Sequence, residues 1–236
     1  MRLPVDLIVA LYTPSAHAAK RATTSLPIAI LSGDPLGAGL VTSLARPEGN
    51  ITGLSVLGAD LGGKCLELLR EVLPAVTRVA ALVHATDPVA KPFLENIQSA
   101  ATSLGVQIHP LVVQGDEDLT GAFAAMVTTR AGAVTIQPNL ATPLAVDLAA
   151  RHHLASISLW RAFAHAGGLM AYGAQEEAAY RRIAVYVDRL LKGAAPADLP
   201  VEQATTFEFV INLKTAETLG LTIPPTLLFQ ADEVLR

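Results

Sequence analysis

Ile51-Thr52-Gly53-Leu54-Ser55 and Gly167-Gly168-Leu169-Met170-Ala171-Tyr172-Gly173 are short extended segments that bear glycine and lie between strand–helix units. Neither carries an acid/base pair, a nucleophile or a metal-ligand set. Such segments suit places where a chain passes from one α/β lobe to another over a cleft. Thr52, Gly53 and Gly173 are the hinge candidates, because glycine reaches backbone angles that other residues avoid. This reading favours binding over catalysis.

Outward from these segments, short apolar runs alternate with longer amphipathic ones, which implies parallel strands joined by crossover helices. Strands are expected at 7–11, 28–31, 79–83, 107–113, 133–136 and 156–159. Most are Val-, Ile- and Leu-rich with little alternation, as strands buried on both faces are. Helices are expected at 15–22, 37–45, 63–72, 90–104, 118–130, 143–152 and 176–191. The last repeats apolar residues at Ile183, Val187, Leu190 and Leu191, one buried face. The stretch 193–206 reads as a surface connection, 207–211 as a strand, and 213–219 as a helix ended by Gly220. The expected class is α/β, in two Rossmann-like lobes with parallel sheets. The first takes 1–53 and about 174–236, the second 54–173.

The 236 residues are 51% hydrophobic and 16% charged, enough for a large core and unlike a disordered chain. Net charge is -4, and no five basic residues run together, which argues against nucleic acid as a partner. The single cysteine, Cys65, excludes an internal disulfide and reads as a buried structural thiol. No apolar stretch reaches the ~18–20 residues that span a bilayer. No charged-then-apolar leader stands at the start, and no signal peptide is read in this chain. The sequence opens almost directly on a strand, so the first lobe is expected to be truncated at its N-terminus. Self-association through residues 1–53 would follow from an exposed sheet edge.

Polar residues cluster just after the apolar runs, where open α/β sheets receive ligands. Thr13 and Ser15 follow the first run, with Ser15 a helix N-cap candidate. Asp34, in Ser32-Gly-Asp-Pro-Leu-Gly37, could meet a ligand amine or simply start a turn. His84 and Thr86, in His84-Ala-Thr-Asp-Pro88, could donate to a ligand, with Asp87 capping the next helix. Asn139 follows 133–136 in Gln137-Pro-Asn139 and is either a turn residue or a contact. Trp160 and Arg161 follow 156–159 and suit a planar or anionic ligand, or packing. Tyr172 could cover an apolar part. His152-His153 suits a helix C-terminus better than a metal site. No Gly-x-Ser-x-Gly elbow, Walker loop or Gly-x-Gly-x-x-Gly fingerprint occurs, and no metal site or cofactor is expected.

Several segments resemble a family of ABC-transporter substrate-binding proteins, the one that includes tryptophan- and tyrosine-binding uptake proteins. They are Ser32-Gly-Asp-Pro-Leu-Gly-Ala-Gly-Leu-Val41, Ser43-Leu-Ala-Arg-Pro47, Gly49-Asn-Ile-Thr-Gly-Leu54 and Gly167-Gly-Leu-Met-Ala-Tyr-Gly173. Ala184-Val-Tyr-Val-Asp188, Leu199-Pro-Val-Glu-Gln203, Phe207-Glu-Phe-Val-Ile-Asn-Leu-Lys-Thr-Ala216 and Leu219-Gly-Leu-Thr-Ile-Pro-Pro-Thr-Leu227 extend the likeness over the chain. The resemblance implies a periplasmic-binding-protein type I fold whose lobes, joined by three crossings, close on a small solute. It implies delivery to a membrane ABC permease, and a place in the periplasm or on a lipid anchor outside the inner membrane. It implies no enzymatic step. His84-Ala-Thr-Asp-Pro88 departs from the Asn-Pro usual in the family's loop. Ala162-Phe-Ala-His165 replaces its usual acidic stretch. The expected function is therefore binding of an amino-acid-like or aromatic solute between the lobes. Thr13, Ser15 and Asp34 would act from one lobe, and His84, Thr86, Asn139, Trp160, Arg161 and Tyr172 from the other. The rivals are an effector-sensing domain of a regulator or receptor, and an α/β enzyme with Asp34 and His84 as its candidates.

Overall fold

A computed structural model describes residues 4–236; the first three residues of the expected first lobe lie outside it. The chain forms two compact units, Met1–Gly58 with Ala174–Thr206, and Ala59–Gly173 with Phe207–Arg236. It enters unit 1 through β1 (Ile8–Leu11), α1 (Thr13–Ala22), β2 (Ile28–Ser32) and β3 (Ile51–Ser55). Unit 2 then begins with α2 (Gly62–Val72), β4 (Arg78–His84), α3 (Ala90–Leu104), β5 (Gln107–Val113) and α4 (Asp116–Thr128). It continues with β6 (Ala133–Ile136), α5 (Pro143–Arg151), β7 (Ala155–Ser158), α6 (Arg161–His165) and β8 (Met170–Ala174). The chain returns to unit 1 for α7 (Glu176–Leu191) and β9 (Glu202–Gln203). It ends in unit 2 with β10 (Phe207–Asn212), α8 (Leu213–Thr218), α9 (Pro225–Gln230) and β11 (Glu233–Leu235).

Unit 1 is a parallel sheet of order β1-β2-β3-β9. Ala10, Ile28, Ile30 and Ile51 pack with Ala16 and Ala19 of α1 on one face. Ala29, Leu31 and Leu54 meet Ala179, Ile183, Tyr186 and Leu190 of α7 on the other. Apolar side chains on both faces explain why β2 and β3 read as continuous apolar runs. Arg182 of α7 grips Glu202 of β9 through Nε–Oε2 at 2.6 Å and Nη2–Oε1 at 2.5 Å, tying the short last strand to the helix.

Unit 2 is a seven-stranded sheet of order β11-β10-β8-β7-β6-β4-β5. Leu66 and Leu69 of α2, Phe93 and Ile97 of α3 and Ile157 of β7 form one cluster, which Phe209, Ile211 and Leu227 join from the last segment. Leu119, Phe123 and Met126 of α4 and Ala145 and Leu148 of α5 form a second with Val134, Ile136 and Phe163. Each fully buried Leu, Ile or Phe contributes roughly 1.5–3 kcal/mol relative to exposure. β5 is an edge strand with exposed Val112, so it accepts Pro110. The acidic first turn of α4, Asp116, Glu117 and Asp118, complements the helix dipole.

Several expectations require correction. Residues 37–45 make successive turns, not a helix. Their apolar spacing is real, since Ala38, Leu40 and Val41 are buried. However, Pro35 starts a turn and Gly39 sits at φ +66, so Lys20 Nζ, not a following turn of helix, bonds the Gly39 and Leu40 carbonyls. Thr52 and Gly53 are not at a passage between units. They lie inside β3, and the passage follows Gly58. Thr52 Oγ1 donates to Leu199 O at 2.6 Å, and a Cβ on Gly53 would sit 2.1 Å from Ile30 O, with φ at +142. Gly173 does stand at a passage, with Leu159 O 1.9 Å from where its Cβ would be. Residues 207–236 belong to unit 2, not the first lobe, because β10 takes its place beside β8 in the larger sheet. The 193–206 connection carries β9 and buries Leu199 and Val201.

Candidate functional site

In unit 2, β7, β6 and β4 are neighbours, and predicted residues of the loops after β4 and β6 are tied together at their carboxyl ends. Buried Gln137, just past β6, organises them. Its Oε1 accepts the His84 backbone N–H at 2.9 Å, and its Nε2 donates to Asp87 Oδ2 at 2.7 Å. Asn139 Nδ2 donates to the same Asp87 oxygen at 3.1 Å, and Asp87 Oδ1 accepts Val89 N–H at 2.9 Å. Asp87 therefore fastens the β4 and β6 loops together; the N-cap position of α3 is Val89. His84 Nδ1 accepts the Thr86 backbone N–H at 3.2 Å and lies 3.2 Å from Thr86 Oγ1. A backbone N–H can only donate, so the proton of neutral His84 resides on Nε2, available as a donor.

Past β7, Trp160 occupies the N-cap position of α6 and packs on the cluster formed with α4 and α5. Arg161 is engaged within unit 2: Nη1 lies 3.3 Å from Glu208 Oε2, and Nη2 is 2.7 Å from Glu233 Oε2. His165 Nε2 meets the same Glu233 oxygen at 3.0 Å. This network joins α6 to β10 and β11, so the Arg161 charge is already met by carboxylates rather than free for an anion. Tyr172 is half-buried and stacks on Phe207 at 6.2 Å between centroids, with Phe209 edge-on at 6.2 Å. Its backbone carbonyl lies 3.9 Å from Cys65 Sγ. Burial pushes that thiol up to about 12, which makes it an inert core group.

In unit 1, Thr13 and Ser32, at the carboxyl ends of β1 and β2, are buried with their hydroxyl oxygens 2.9 Å apart. Ser15 does not cap α1: the helix starts at Thr13, and Ser15 Oγ donates back to the Leu11 and Tyr12 carbonyls. Asp34 Oδ1 accepts the Gly37 N–H at 2.8 Å, closing its own turn. Tyr12, before α1, holds φ +68 and donates to Glu176 Oε1 at 3.3 Å, with Tyr180 Oη 3.4 Å away. Burial, then these two neighbours, raise its phenol well above the ordinary range.

Gln137 and Ser32 are polar residues of these loops that sequence reasoning did not single out. Their one signal is a polar residue closing an apolar run. Among the described residues no three His, Cys, Asp or Glu side chains cluster to hold a metal ion, and no helix is long and apolar enough to cross a membrane.

Residues 3–235 match the family model described as ABC transporter substrate binding protein. A tyrosine-binding protein of Clostridioides difficile is 26% identical over 221 residues, 92% of this chain and 63% of that protein. The chain thus spans a little under two thirds of the length of this curated relative. A Streptococcus pneumoniae ABC domain solved with L-Trp is 28% identical with a TM-score of 0.87, covering 98% of this chain and 81% of that one. A Vibrio cholerae conserved domain protein is 26% identical with a TM-score of 0.90, covering 97% and 78%. The fold is that of type I periplasmic binding proteins, and the chain belongs to the ABC transporter substrate-binding protein family.

Proposed function

We propose that this chain binds a small amino-acid-like or aromatic solute, without a covalent step, as the solute-binding component of an ABC importer. One observation carries the reading: the polar groups of two loops are held together at the carboxyl ends of β4 and β6, where open parallel sheets take ligands. Similarity to a tyrosine-binding protein and to a domain solved with L-Trp supports an aromatic amino acid as the class. His84 Nε2–H and Thr86 are the polar contacts from unit 2, with Asn139 setting the loop and Tyr172 offering an aromatic surface. Within unit 1, Thr13 and Ser32, beside the turns of Ser15 and Asp34, are the polar groups at strand ends that suit a solute. The partner is a membrane permease, and the place of action lies outside the inner membrane, in the periplasm or on a lipid anchor. Titration of the chain with L-tyrosine, L-tryptophan and aliphatic amino acids by calorimetry and thermal shift tests the reading. Saturable binding of an aromatic amino acid with a raised melting temperature is expected. A cooperatively melting chain that binds none of them overturns it.

A further inference from the structure

Two polar atoms close together in sequence, at the carboxyl end of β7, are buried without a hydrogen-bond partner: Ser158 Oγ and Trp160 Nε1. Ser158 is the last residue of β7 and only 1% exposed. Trp160 follows in extended backbone, at φ -112 and ψ 118. Residues two apart in extended chain share a face. Ile157, between the serines of β7, packs in the cluster of α2 and α3, whereas Trp160 packs on that of α4 and α5. Ser158 and Trp160 therefore take the side away from Ile157. Ser158 is in register with Ile136, so this side adjoins the loop that Gln137 organises.

An indole N–H only donates, and a hydroxyl donates or accepts. Burying a donor unpaired destabilises a fold, so the rare instances call for a partner. Replacing Ser158 by an apolar residue would remove that penalty, as Ala155 and Ile157 fill the same strand. Two donors on one face suit an acceptor group with several lone pairs and a charge, which a carboxylate supplies. We propose that Ser158 and Trp160 form the subsite that receives the carboxylate of the solute. This rests on the reading of the chain as an amino-acid binder. It makes Trp160 a donor whose ring packs against the core cluster of α4 and α5, rather than a cover for the solute's apolar part.

The test compares L-tryptophan with tryptamine, which has the same ring and amine but no carboxylate, by calorimetry on the wild type, Ser158→Ala and Trp160→Phe. The wild type should prefer the acid. Each variant should lose about tenfold or more in affinity for the acid while tryptamine binding holds, so the preference collapses. Equal weakening of both ligands would mean packing only, and an unchanged preference would mean that the two atoms serve a buried water; either overturns the subsite while leaving the function standing. A wild type that binds neither L-tryptophan nor L-tyrosine overturns the parent reading, and the subsite with it. Thermal melts establish that the variants fold, and Ser158→Ala alone decides the matter if Trp160→Phe does not.

Discussion

Gln137 donates from Nε2 to Asp87 Oδ2 at 2.7 Å while its Oε1 accepts the backbone N–H of His84 at 2.9 Å. One buried amide thus sets the positions of two loops. Gln137→Met keeps the volume and removes both bonds, leaving the His84 N–H without its side-chain partner. A loss of about 1–3 kcal/mol is expected in urea unfolding. Affinity for the solute should fall as well, because His84 and Thr86 are no longer held. An unchanged unfolding midpoint would show that the amide is dispensable.

Glu202 has its carboxyl held below the ordinary value of 4.5, first by the hydrogen bonds from Arg182 and then by the charges of Arg182 and Arg189. Its folded-state value is depressed, so its stabilisation is fully present above the ordinary value. That stabilisation is lost as pH falls through the lower, folded value. The gap in stability between wild type and Glu202→Gln should be constant near neutral pH and close in acid, below about pH 4.5. Both partners are more than a third exposed, so the gap at neutral pH is expected to be about 1 kcal/mol or less. A gap that persists in strong acid would assign the effect to something other than this charge.

Gly53→Ala should fail where most surface alanine substitutions succeed. The new Cβ would stand 2.1 Å from Ile30 O, in backbone at φ +142. A loss of at least about 2 kcal/mol is expected, through strain and the β2–β3 pairing. Circular-dichroism melts check this, and a wild-type melting temperature would refute it.

β1 forms the edge of the unit 1 sheet and exposes Val9 at 45% and Leu11 at 36%. Both lie on the face of Ala29 and Leu31 by register. Self-association through this edge is proposed. Sedimentation velocity at rising concentration should show association in the wild type and less of it in Val9→Lys with Leu11→Lys, since edge lysines oppose strand pairing. A wild type that stays monomeric at every concentration would dismiss it.

The buried parallel strands were legible in sequence because Val79–Val83 or Ile28–Leu31 can hardly be anything else at that length and branching. Long helices announced themselves by apolar period, and α3 and α7 match their expected bounds. What escaped notice has non-local causes. β3 reads as a hinge because glycine marks close backbone approach as well as flexibility, and only the Ile30 carbonyl beside Gly53 distinguishes the two. Residues 37–45 kept helical spacing while Gly39 turned left-handed. Arg161 suits an anionic ligand or packing in sequence alone, since its carboxylate partners lie far along the chain at Glu208 and Glu233. The loop residues lie at strand ends as expected, but only geometry reveals that Gln137 binds the β4 and β6 loops together.

The interleaving of the two units bears on how the polypeptide can mature as it is synthesised. A nascent chain that has emerged only as far as β8 holds a small sheet lacking α7 and β9, and a large sheet lacking β10 and β11. Neither can complete its order of strands from what precedes residue 174. The apolar faces of Leu31 and Leu54 wait for Ala179 and Ile183, and the α2–α3 layer waits for Phe209, Ile211 and Leu227. Pairings between such distant segments form slowly. Vectorial emergence thus leaves both halves open until the final sixty or so residues arrive, a window in which a holding chaperone would have the most to bind.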